Sequence, residues 1–158
     1  MNNHALAAES SFAPRHCFGE SGCGDTPQLP LTHYDSQRIL LVSDDMQSAA
    51  RLKRTLQSLG YSETLVAYSG KRALVAVTAY SPAIAIVDLD LADMTGYSLA
   101  RSLRTHTARQ VRQLPLIAVA EQTEFATGEL ARAAGFLGVL TKPIIVWLLN
   151  GLLLRSLM

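Results

Sequence analysis

The stretch Ile84-Ala-Ile-Val-Asp-Leu-Asp-Leu-Ala-Asp-Met-Thr-Gly96 decides the reading of this chain. It opens on four apolar residues without polar alternation, the pattern of a strand buried on both faces, and passes at once into carboxylates and a glycine. The same form recurs along the sequence. Ile39-Leu-Leu-Val42, Thr64-Leu-Val-Ala67, Leu116-Ile-Ala-Val119 and Phe136-Leu-Gly-Val-Leu140 are the other short β-type runs. Between them lie helical stripes: Leu52, Leu56 and Leu59 before Gly60; Ala73, Leu74 and Val77 after Ser69-Gly70; Leu99, Leu103 and His106 after Gly96; Leu130 and Ala134; and a last apolar segment from Ile144 to Leu157. Strands apolar on both faces that alternate with helices belong to a parallel sheet covered on both sides, and right-handed crossovers make it doubly wound. The expected fold is therefore α/β, a doubly wound (βα)5 unit with a five-stranded parallel sheet over residues 38–158.

Residues 1–37 mix Ser, Gly, Pro, Asn and His without period and read as a flexible leader. His16, Cys17 and Cys23 fall in it, a poor match to zinc-ligand spacing and too few cysteines for a disulfide framework, so a reducing cytoplasm is the expected compartment. The first residues carry no Lys or Arg and no apolar run, which argues against a secretory signal. Hydrophobic residues at 49% and charged residues at 17% support a full core. The formal charge of +1 lacks the basic excess that binding a phosphate backbone needs, so nucleic acid is not an expected partner. The apolar tract from Val139 to Leu153 is broken by Thr141, Lys142, Pro143, Asn150 and Gly151 and is too short for a membrane span.

In an open parallel sheet the ligand crevice lies beyond the carboxyl ends of the strands. The first strand ends in Ser43-Asp44-Asp45, the third in Asp88-Leu89-Asp90, the fourth in Val119-Ala120-Glu121 and the fifth in Thr141-Lys142-Pro143. Singly, each Asp reads as a helix cap or turn former. Together they bring carboxylates and a lysine to one edge. Such carboxylates repel unless a cation lies between them, and Mg²⁺ binds through one or two carboxylates plus water and phosphate oxygens. A carboxylate beside two cations can attack a phosphoryl group, because they neutralise its equatorial oxygens.

With these residues the sequence resembles the receiver domain of two-component response regulators. The resemblance rests on Asp88 with Gly96 eight residues on, on the acidic run after the first strand, and on Lys142-Pro143. It implies strand order 2-1-3-4-5, Asp88 as phosphoacceptor, Lys142 as phosphoryl contact, a cis bond before Pro143, and Mg²⁺ held by Asp44, Asp88 and the backbone carbonyl of Asp90. It also implies a histidine kinase or phosphotransfer protein as partner, with no enzymatic turnover beyond self-phosphorylation and autodephosphorylation. Four positions depart from the family pattern. Ser43 takes the first place of the acidic pair, unless a register shifted by one restores Asp44-Asp45, and Ala92 replaces the loop proline. Ala120 stands where a Ser or Thr hydroxyl grips the phosphoryl group, with Thr123 as a remote substitute. Val139 stands where an aromatic ring follows that hydroxyl.

The chain stops just after its fifth helical segment, which leads to the expectation of a stand-alone module acting through contact. Arg101, Arg104, Arg109 and Arg112 read as a solvated basic side. On the last helix, Ile145, Leu148, Leu149 and Leu152 are expected to face the sheet. Trp147, Leu154 and Met158 then form an apolar second face suited to a second copy or an output partner. Two alternatives stand beside the phosphoacceptor: a pseudo-receiver that only binds, and a haloacid-dehalogenase-type phosphohydrolase suggested by Asp88-Leu-Asp-Leu.

Overall fold

The computed structural model describes residues 37–122 and 124–157, without the Phe125 side chain. His16, Cys17 and Cys23, together with Thr123 and Met158, lie outside the described residues. The elements run β1 (Ile39–Val42), α1 (Met46–Ser58), β2 (Thr64–Ala67), α2 (Gly70–Tyr80), β3 (Ile84–Asp88), α3 (Gly96–Arg104), α4 (Arg109–Arg112), β4 (Leu116–Ala120), α5 (Phe125–Ala134), β5 (Gly138–Thr141) and α6 (Val146–Leu157). All strand pairs are parallel, in the order β2-β1-β3-β4-β5.

The period-2 geometry of the strands divides their side chains between two cores. Leu40, Val42, Ala85, Val87, Leu116 and Ala118 pack with Ala73 and Val77 of α2, Leu99 and Leu103 of α3 and Ala131 of α5. Ile39, Leu41, Ile84, Ile86, Ile117 and Val119 pack on the opposite face with Leu52 and Leu56 of α1 and Leu149 and Leu153 of α6. The three central strands are buried at every residue, whereas the edge strands β2 and β5 are only partly covered.

Three details differ from the sequence reading. β5 starts at Gly138: Phe136 is buried before the strand and Leu137 points outward. On α5, Leu130 is exposed, and the small Ala131 and Ala134 face the core instead. On α6 the buried stripe is Leu149 and Leu153, while Ile145 and Leu148 are exposed, because Ile145 precedes the first helical turn and Leu148 sits off the stripe. The added α4 is joined to its surroundings by Arg104, whose guanidinium donates to the carbonyls of Arg112 at 2.7 Å, Leu114 at 2.8 Å and Gly135 at 2.7 Å. One side chain thus satisfies carbonyls at two helix ends that have no partner within their own helices.

Candidate functional site

Asp88 is the last residue of β3, and its side chain is only 5% exposed. A buried carboxylate needs a partner, and Lys142 supplies it from the end of β5: Nζ lies 2.9 Å from Asp88 Oδ2. The Lys142–Pro143 peptide is cis. Nζ also lies 3.0 Å from Oε1 of Glu121, which follows β4 and has a side chain 67% exposed. Burial alone would push the Lys142 ammonium down. Hydrogen bonds from it to Asp88 and Glu121, and their charges, outweigh that effect and hold its pKa above the ordinary lysine value.

Ser43 completes the near surroundings of Asp88. It is 4% exposed, and its hydroxyl lies 3.4 Å from Asp88 Oδ2. The backbone amide of Asp90 lies 3.4 Å from the other oxygen, Oδ1. Gly96 lets α3 start against the end of β3, since a Cβ there would sit 2.8 Å from both the Asp88 carbonyl oxygen and Leu89 Cα. A cavity of about 250 Å³ opens beside these groups, with Ser43, Asp88 and Lys142 among its polar lining, together with Arg51, and Leu41 and Ile144 among its apolar walls.

The three acidic residues around β1 and β3 have separate fates. Asp44 is exposed and does not line this cavity. Asp45 caps α1, accepting from the Gln47 and Ser48 amides at 3.2 Å each and from the Ser48 hydroxyl. That hydroxyl first, and then the Gln47 amide, hold the Asp45 carboxyl below the usual Asp value. With Ser43 inward and Asp45 engaged at the helix end, the shifted register is not the one adopted. Asp90 is exposed and closes the loop after β3 through an antiparallel bridge to Thr95. Ala120 is buried at 4% exposure, and Val139 is half-buried against the α2–α3–α5 core. On α6, Trp147 is 72% exposed and Leu154 is half-buried.

The sequence model of the response regulator receiver domain matches residues 39–149, from the first residue of β1 into α6. The chain belongs to that family. Among curated relatives of this receiver domain, the DNA-binding response regulator MtrA of Mycobacterium tuberculosis is 31% identical over 107 residues, covering 68% of this chain and 44% of that protein. The MtrA of Mycolicibacterium smegmatis matches at the same identity. The receiver chain therefore spans less than half the length of the curated relatives it matches. The chemotaxis response regulator CheY4 of Vibrio cholerae superimposes with a TM-score of 0.68 at 26% identity, over 76% of this chain and 98% of that one. The signal receiver domain of a histidine kinase from Syntrophus aciditrophicus gives a TM-score of 0.68 at 26% identity, over 77% and 90% of the two chains.

Receiver domains generally bind Mg²⁺ at the phosphorylation site. Among the described residues no group of three or more His, Cys, Asp or Glu side chains is gathered to hold a metal. Asp88 Oδ1 has, among the described residues, only one long amide contact, and the carboxylate and carbonyl groups expected to meet a cation offer hard oxygens. This set fits an ion that keeps most of its waters and is completed by phosphate oxygens rather than one held in a preformed cage.

Two site residues of this receiver domain carry roles the sequence reading did not assign. Glu121 was visible as a strand-end acid, but its pairing with Lys142 spans 21 residues. Asp93, in the loop after Asp90, accepts from the Gly70 and Lys71 amides at 3.0 Å each and so ties the loop after β3 to the N-terminus of α2. Its loop-former composition carries no signal for a partner so distant in sequence.

Proposed function

We propose that Asp88 accepts a phosphoryl group from the phosphohistidine of a kinase or phosphotransfer protein. The observation that carries this reading is a carboxylate buried at the end of β3 with an ammonium 2.9 Å away, at the same sheet edge. Asp88 Oδ1, the less engaged oxygen, attacks phosphorus. The phosphorus–nitrogen bond of the donor breaks, and its electron pair stays on the ring nitrogen; with a proton on the other ring nitrogen, the donor departs as neutral imidazole. Lys142 faces charge on the transferred oxygens, the part of the reaction that positioning and electrostatics accelerate. Asp44, Asp88 and the Asp90 carbonyl are the residues that would hold Mg²⁺, which supplies further neutralisation of those oxygens. The protein performs no turnover beyond gaining and losing this group, and the cytoplasm is its compartment.

Acetyl phosphate with magnesium should add one phosphoryl mass to the protein, with the label mapped to Asp88 and lost in Asp88→Asn. An unlabelled wild-type protein would overturn the reading. Sustained hydrolysis of an aryl phosphate would favour the dehalogenase-type alternative instead.

A second reading is supported by a separate observation: Ile145, Val146, Trp147 and Leu148 are all exposed around the start of α6. Four consecutive outward apolar residues suit contact with a second copy or an output protein, whether or not Asp88 is phosphorylated. Here Trp147→Glu should abolish self-association or capture of the partner, as followed by sedimentation, and Asp88→Asn should leave it intact. The opposite pattern would tie association to phosphorylation.

A further inference from the structure

Lys142 is shared. Its ammonium contacts Asp88 Oδ2 at 2.9 Å on the buried side and Glu121 Oε1 at 3.0 Å on the exposed side. The side-chain exposures follow the same gradient, at 5% for Asp88, 20% for Lys142 and 67% for Glu121. Glu121 thus engages the ammonium at the exposed end of this gradient, with the nearly closed Asp88 carboxylate at the other. A phosphoryl group on Asp88 brings additional negative charge and strong acceptor oxygens to the ammonium that Glu121 already engages. Glu121 and the phosphoryl group repel each other and share the charge of one ammonium.

We propose that Glu121 is a built-in competitor for Lys142: its carboxylate shares the ammonium with, and repels, a phosphoryl group arriving at Asp88, and so weakens the hold of Lys142 on that group. The inference rests on Asp88 as phosphoacceptor. It makes Glu121 a positioning residue, acting on the reaction through Lys142. It also supplies a response to phosphorylation that needs no hydroxyl at Ala120, since the loop after β4 is pushed outward by like charge rather than drawn in by a hydrogen bond. Position 120 offers only a methyl group, so no side-chain hydrogen bond from that residue opposes the movement.

The test is the rate of Asp88 labelling in wild type and Glu121→Gln across a series of acetyl phosphate concentrations with magnesium, after matching melting curves confirm that both proteins are folded. Glutamine keeps the size of the side chain and removes its charge. The half-saturating donor concentration should fall about two- to fivefold in the variant, the range of one partly exposed ion pair, with little change in the maximal rate. Raising ionic strength should narrow the gap, because salt screens an exposed charge. A purely structural role for Glu121 predicts neither the shift at low donor nor its salt dependence. Labelling of both proteins with equal half-saturation overturns the inference alone, as does weaker labelling of the variant. Absence of label from both proteins overturns the phosphoacceptor reading and this inference with it.

Discussion

The ends of β3 and β4 lie side by side, with Asp88 in register with Val119, yet they are built from opposite materials. β3 finishes in a buried carboxylate provided with an ammonium, a hydroxyl and a backbone amide. β4 finishes in Ala120, equally buried but with only a methyl group to offer. Val139 on β5 is aliphatic and packs, half-buried, against the core, in place of an aromatic ring free to swing. The first strand end carries a charged, hydrogen-bonded group, and the second offers no side-chain polar atom. Under the proposed function, acceptance and transmission would rest on different residues and could be altered separately.

The largest effect is expected from removing the ammonium. Lys142→Met leaves the Asp88 carboxylate buried without its cation, and the loss of one charge-assisted hydrogen bond of about 1.5–3 kcal/mol corresponds to about a ten- to hundredfold fall in the rate of labelling by acetyl phosphate. An unchanged rate would show that the acceptor end does not depend on Lys142, and the contrast between the two strands would lose its basis. A chromatographic comparison of the labelled and unlabelled protein, followed over time, gives the rate directly.

The contrast can also be reduced from the other side. Ala120→Ser returns a hydroxyl to the end of β4 at a small cost in volume, and should tighten binding of beryllium trifluoride, a phosphoryl mimic, by about tenfold as measured by calorimetry. No gain in affinity would mean that the end of β4 lies out of reach of the phosphoryl group.

The smallest expected effect concerns Asp93, which holds the loop after β3 on α2. The Gly70 amide first, and then the Lys71 amide, keep its carboxyl below the usual Asp value. A depressed folded pKa contributes stability that is present above the unfolded value of about 3.9 and is lost as pH falls through the folded one. Asp93→Asn should therefore melt slightly below wild type near neutral pH, and the two melting curves should converge below about pH 4. A gap that persists in acid would show that the tether does not depend on the carboxylate charge.

Much of the fold was legible because it depends on short-range rules. Ile39–Val42, Thr64–Ala67 and Ile84–Val87 read as strands from their apolar β-type runs, and the strands carry those residues. Leu52, Leu56, Ala73, Val77, Leu99 and Leu103 read as inward helix positions from their spacing, and all are buried. The spacing argument failed where the helix boundary mattered, as at Ile145, and where size rather than polarity chose the inner face, as at Leu130 beside Ala131.

At the candidate site, the sequence by itself determined that acids and a lysine meet at one sheet edge, because parallel strands place all their carboxyl ends together. Which acid does what was decided only by the tertiary structure. Asp45 turns to the α1 amides, Asp93 to the α2 amides 22 and 23 residues away, and Glu121 to an ammonium on another strand. The physical reason is reach. Apolar periodicity acts through neighbours along the chain and fixes which face is buried. A carboxylate's partner is whichever donor the folded backbone brings within about 3 Å, a distance that no local pattern encodes.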